Sequence, residues 1–180
     1  MTAVKKDKAL VMKKLIILLM AMGTMGAFAQ SPAASPDSVT YRFIIQAANG
    51  NILEANTGQL AVKRAKSSSV KAFGAKMVTD HNKANADLTQ IVTSKVWQIP
   101  LPGPNDVKPD TMLMTSNGAT FDKAYVTMML KDHKETVQTF EQAATNVPDA
   151  DVKAFINKTL PVLREHLASI QAIASNMGVK

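Results

Sequence analysis

From residue 38 onward, apolar residues recur every three or four positions, and strand-like alternation is nowhere sustained. Four helices are predicted on this pattern. The first runs from about 38 to 66, with Ala47, Glu54, Gly58, Ala61 and Ala65 on one stripe and Ile44 beside it. Small residues on that stripe would let a neighbouring helix approach closely. Ser38 or Thr40 is the expected cap. Asn49-Gly50-Asn51 makes a poor helix interior and is expected to kink or interrupt it. Ser67-Ser68-Ser69 is read as the turn.

The second helix is predicted over about 69–96. Its stripe is Val70, Phe73, Met77, His81, Ala84, Leu88 and Ile91. The third covers about 120–145, with Val126, Met129, His133, Val137, Phe140 and Ala144 facing inward and Tyr125 beside that stripe. Asn146-Val147-Pro148-Asp149 breaks the chain. The fourth covers about 150–177, with Val152, Phe155, Ile156, Thr159, Leu163, His166, Ile170 and Ile173 inward. Pro161 lies inside it and should bend it about one turn before His166. Between the second and third helices, Pro100, Pro102, Gly103, Pro104 and Pro109 forbid a continuous helix, although 110–114 could form one helical turn. A long proline-rich crossover of this kind is what a bundle with parallel second and third helices requires. The fold class expected is therefore all-α, a four-helix bundle.

The two halves look related. Val70-Lys71-Ala72-Phe73 opens the second helix, and Val152-Lys153-Ala154-Phe155 opens the fourth. Glu54 and His133 each lie eleven residues before an alanine of matching position, Ala65 and Ala144. If those alanines correspond, Glu54 and His133 stand at equal heights.

All three histidines follow an acid: Asp80-His81, Asp132-His133 and Glu165-His166. His81 interrupts an apolar stripe, and a buried polar group left unpaired costs about 1–3 kcal/mol. Two readings follow. In one, the histidines form a polar layer, bonded to Glu54, to the aspartates or to backbone, that fixes helix register. In the other, Glu54, His81, His133 and His166 supply one ligand per helix to a single zinc, iron or copper ion. Asp80, Asp132 and Glu165 would then be outer partners, although neighbours on a helix point about 100° apart. A di-iron centre is disfavoured. It needs Glu-x-x-His on two helices, and Val78 and Leu163 stand three residues before His81 and His166. No nucleophile-elbow, P-loop or H-E-x-x-H pattern occurs, so no catalytic residue is assigned. Met77 and Met129 read as core filler. Met112 and Met114, in the connection, are the more interesting pair for copper.

Lys13 and Lys14, the apolar run over 15–22, the glycines 23 and 26 and Ala27-Phe28-Ala29 read as a signal peptide over 1–29, cleaved after Ala29. The run is too short to span about 30 Å of hydrocarbon. Met12 opens a compact leader of its own and is the alternative start. Residues 30–37 read as a flexible lead-in before a bundle domain over 38–177. The whole chain carries a net charge of +7, but the leader holds five lysines and one aspartate, which leaves +3 for the mature part. Nucleic-acid binding thus gains no support. The absence of cysteine excludes disulfides, thiolate zinc sites and c-type haem.

The stretches 43–47, Glu54 with Gly58-Gln59-Leu60-Ala61, Val70-Lys71-Ala72-Phe73, Asp80-His81, Phe121-Asp122-Lys123-Ala124-Tyr125, Asp132-His133 and Thr159-Leu160-Pro161 with Glu165-His166 occur in one order. On them the chain resembles the bacterial exported family called domain of unknown function 4142, grouped with ferritin-like four-helix bundles. The resemblance implies export and a ferritin-like bundle, and no particular reaction. Two function classes stay open. One is a non-catalytic periplasmic protein, envelope- or stress-related, that binds an envelope partner or small ligand. The other is a bundle holding one metal ion.

Overall fold

Two of the four long helices begin where an aspartate side chain takes up their free amide groups. The structure, a computed structural model, describes residues 35–179. The predicted leader, its cleavage site and the first part of the lead-in lie outside the described residues. Helix α1 (Ser38–Arg64) is capped by Asp37, whose Oδ1 accepts the amides of Val39 and Thr40 at 2.9 and 3.0 Å. The cap is therefore one residue before the expected Ser38: a carboxylate accepts both amides at once, and Thr40 instead donates its hydroxyl to Asp37. Helix α2 spans Ser68–Ser94, the single turn α3 Thr111–Thr115, α4 Gly118–Asn146 and α5 Ala150–Asn176. Asp110 and Asp149 cap α3 and α5 in the same way. No helix among the described residues is long and apolar enough to cross a membrane.

Two expected disturbances leave helix assignment intact. Helix α1 runs unbroken through Asn49-Gly50-Asn51. Asn49 bonds the Ile45 carbonyl one turn back, and Asn51 is buried against another helix, so tertiary contact outweighs the weak propensity. Helix α5 continues through Pro161. The ladder bond that Pro161 removes would have ended on the carbonyl of Asn157, an exposed residue that water can reach.

The four long helices pack as two hairpins, α1 with α2 and α4 with α5, which meet through α2 with α5 and α1 with α4. Within the first hairpin, Gly58 and Gly74 set the distance. A Cβ at Gly58 would stand 2.6 Å from the Gly74 carbonyl, and one at Gly74 would stand 2.6 Å from the Ala61 Cβ. No other residue permits that approach. An isolated backbone bridge from Ala65 to Gly118 sets the start of α4 beside the end of α1. Asp122 of α4 reinforces this join: its carboxylate accepts the amides of Lys66 and Ser67 at 3.0 and 2.8 Å, closing the α1–α2 turn from outside the hairpin. The 95–117 segment lies along α1, where the Asn56 side chain donates to the carbonyls of Pro104 and Val107.

The core divides in two. One cluster holds Phe43, Ile44, Leu88, Phe140, Phe155 and Leu163. The other holds Phe73, Met77, Phe121, Tyr125, Met129 and Ile170. On every long helix a polar residue marks the changeover between them: Glu54, His81, His133 and His166, all buried.

Candidate metal centre

The polar layer is built by helical periodicity. His81 follows Met77 by one turn, His133 follows Met129, and His166 precedes Ile170. Each therefore shares a face with a fully buried apolar residue. The three rings converge, with centroids 6.1 Å apart for His81 and His133 and 5.5 Å for each of the other pairs. One nitrogen of each ring lies within 4.8 Å of the others. Glu54 stands outside that set. Its Oε1 is 3.8 Å from His133 Nδ1, too long for a hydrogen bond.

The hydrogen bonds fix how each ring carries its proton. His166 Nε2 donates to Asp80 Oδ2 at 2.8 Å, and His133 Nδ1 donates to the Met129 carbonyl at 3.0 Å. Both partners only accept, so the protons sit on those nitrogens. His81 Nδ1 donates to Asn51 Oδ1 at 3.1 Å. The remaining nitrogens, His81 Nε2, His133 Nε2 and His166 Nδ1, are buried and have no partner in the polypeptide. In neutral rings all three carry lone pairs. Lone pairs cannot satisfy one another, so the layer calls for a hydrogen-bond donor or an electrophile among the three rings. Asn51 Nδ2, Glu54 Oε2, Thr57 Oγ1 and the Tyr125 hydroxyl are also unpartnered.

The outer partners differ from sequence order. Asp80 serves His166 on α5 rather than its neighbour His81, and Lys76 Nζ holds Asp80 from the other side at 2.7 Å. Asp132 is half-buried and has no hydrogen bond to His133 among the described contacts, while Glu165 is exposed. Asn51 holds His81, and sequence reasoning missed it by reading it as a helix breaker. Its signal was available: it lies three residues before Glu54, on the same face. Met112 and Met114 part company. Met112 lines an open groove of about 740 Å³ along α3 and α4, whereas Met114 lines another groove beside Asn56. The larger groove includes none of the histidines. Met77 and Met129 are fully buried core residues.

Burial keeps the histidines neutral. His81 is pushed down to about 3 by burial and by His166 and His133, and His133 is pushed down to about 4 by burial and His166. Burial also lowers His166, with Asp80 opposing. Glu54 is raised to about 8 by burial and by Asp132, so near neutral pH the Glu54–His133 contact is not an ion pair. Burial raises the Asp80 carboxyl, but bonds from Lys76 and His166 more than reverse this and hold it below its usual range. Burial and then Glu54 raise the Tyr125 hydroxyl.

These shifts predict how the metal-free protein responds to pH. Below its ordinary value of 6.5, each histidine takes up a proton in the unfolded chain that the folded chain refuses. Stability therefore falls as pH drops from 6.5 towards 4, by about 1.4 kcal/mol per pH unit for each of His81 and His133, with His166 acting in the same direction. Glu54 acts in the opposite sense: the folded carboxyl keeps its proton up to about 8, while the unfolded one releases it near 4.5. Stability is thus also lost as pH rises from 4.5 to 8. Urea unfolding across pH should show a maximum at roughly pH 6.5 with the steeper fall on the acid side. A flat profile between pH 4 and 8 would contradict buried neutral imidazoles.

A family model described as Domain of unknown function (DUF4142) matches residues 24–173, and the chain belongs to that family. No curated protein and no solved structure matches.

Proposed function

We propose that this family member is an exported, non-catalytic metal-binding protein. Its ferritin-like bundle, with the proline-rich connection as crossover, holds one divalent transition-metal ion on His81, His133 and His166. The observation that carries this reading is the set of three buried, unpartnered imidazole nitrogens on three helices at one level. Three neutral nitrogens suit zinc, copper or iron, and neutral rings bind without first losing a proton. The fit is close. Ligand nitrogens no more than 4.8 Å apart lie at most about 2.8 Å from a common centre, so bonds of ~2.1 Å need each ring to move inward by no more than roughly 0.7 Å. Side-chain rotation can supply that. Glu54, unpartnered at Oε2, is the acid at this level and is the candidate fourth ligand.

The chain's own residues do the holding. Asp80, steadied by Lys76, orients His166 and makes it more basic. Met129 and Asn51 orient the other two rings. A bound ion would supply Lewis acidity or, for copper and iron, electron transfer; the proposal itself extends to storage or sensing of one ion. The leader read from the sequence supports a periplasmic location.

The test is elemental analysis of the protein purified from the periplasm without a histidine tag. Near-stoichiometric zinc, copper or iron, lost in His81→Ala, supports the reading. No metal, and none taken up on titration, would leave a polar layer that only sets helix register. Asp80→Asn is expected to weaken binding by about 10- to 100-fold in a competition titration, because it removes the charged partner of one ligand and keeps its shape. Unchanged affinity would separate Asp80 from the site.

A further inference from the structure

The histidine layer is approached from one side by a cavity of about 150 Å³ between α1 and α4. Its rim is polar and reaches solvent: Gln46 is exposed, and Gly50, Thr136 and Thr139 are half-buried. Phe43, Phe140 and Leu163 form apolar walls. At its inner end stand Asn51, Glu54 and His81, and each carries a buried polar atom without a partner: Asn51 Nδ2, Glu54 Oε2 and His81 Nε2. The cavity thus joins solvent to the one layer of the core that lacks hydrogen-bond partners.

Size selects what can use it. Pockets for drug-sized ligands run to about 300–1,000 Å³. This one equals the liquid volume of roughly five waters, room for a molecule of three or four heavy atoms. Charge selects further. A divalent ion on three neutral imidazoles and the Glu54 carboxylate leaves one positive charge in the core, which a small anion would balance. We infer that the cavity between α1 and α4 is a ligand channel, through which a small anion of about three heavy atoms reaches an open coordination position on the ion held by His81, His133 and His166. The inference rests on the metal-binding reading above.

Gly50 makes the channel testable. It lies at the rim, and a Cβ there meets nothing within 4 Å. A larger side chain fits without disturbing the helices, and replacing an interior helical glycine favours the helix. Gly50→Leu should therefore narrow the mouth and leave the metal ligands in place.

The experiment loads the purified protein and the Gly50→Leu variant with Co(II) and titrates each with sodium azide, following the visible Co(II) bands. Wild type should bind cobalt one to one and show a saturable azide-dependent change. The variant should bind cobalt equally and respond to azide at least tenfold more weakly or more slowly. Equal azide responses in the two proteins, or none in cobalt-loaded wild type, would overturn the channel while leaving the metal site standing. Failure of wild type to bind cobalt would overturn both.

Discussion

Replacing His166 with alanine should lower the affinity for zinc or cobalt by at least about 100-fold, more than the ~10- to 100-fold typical of losing an outer partner. The reason lies in the arithmetic of the layer. Three nitrogens on three helices define the site, and two of them do not hold a divalent ion against water. The same change strands Asp80, which then keeps only Lys76. Stability reads the effect independently. At a free metal concentration one hundred times the dissociation constant, binding to the folded state alone adds about 2.7 kcal/mol. For a domain of this size that is a rise of roughly 5–10 °C in melting temperature. Wild type should show this rise, and His166→Ala should show none at the same metal concentration. His166→Gln, which keeps a polar side chain at the position, guards against a trivial folding defect. Affinities in both variants that match wild type would place bound metal elsewhere on the molecule and sink the assignment.

The second large effect concerns one chemical change made at two positions. Gly74→Ala should destabilise the domain by about 1–3 kcal/mol, whereas Gly50→Ala should stabilise it by up to ~1 kcal/mol. Helix propensity favours alanine at both. Space decides the sign. At Gly74 the new methyl would meet the Ala61 Cβ at 2.6 Å and the Gly58 carbonyl at 2.8 Å, both held rigidly by α1. The helices must part, and the packing of Phe73 and Met77 loosens with them. At Gly50 the methyl meets nothing. Urea unfolding followed by far-ultraviolet circular dichroism measures both. Two stabilising results would mean that α1 and α2 are not in the close contact described. Because His81 lies two turns beyond Gly74 on the same face, parting the helices should also weaken metal binding.

Much of this architecture was legible in the sequence, and the reasons are physical. The three-to-four spacing of Val70, Phe73, Met77 and His81 reports which face of α2 is inward whatever it packs against. The same logic placed His133 and His166 in the core and Glu54 at the height of His133. Small residues on the stripe of α1 pointed to a close neighbour, and Gly58 meets Gly74. Partnerships were less legible, because they depend on helix rotation and on which helices adjoin. Asp80 sits next to His81 in sequence but points about 100° away, which aims it across the α2–α5 interface at His166. Asn51 counted against the helix on propensity alone, since propensity says nothing of a buried imidazole on α2. Asp37 displaced Ser38 as cap, a choice between adjacent good cappers that short-range pattern does not resolve.

The sequence halves suggest two like hairpins joined in tandem, as a duplicated module would be. Asp122 ends that equivalence. The second hairpin caps the start of its own returning helix with Asp149, a residue of its own turn. The first has no side-chain cap from Ser67 and takes the carboxylate of Asp122 from 55 residues further along the chain. Each turn is thus held from the other hairpin: Asp122 of α4 closes the α1–α2 turn, and Lys95 at the end of α2 reaches Asp149 and Asp151 at the start of α5 at 2.9 and 2.7 Å. The two halves hold each other by different groups, a carboxylate in one direction and an ammonium in the other, so neither could stand in for its counterpart.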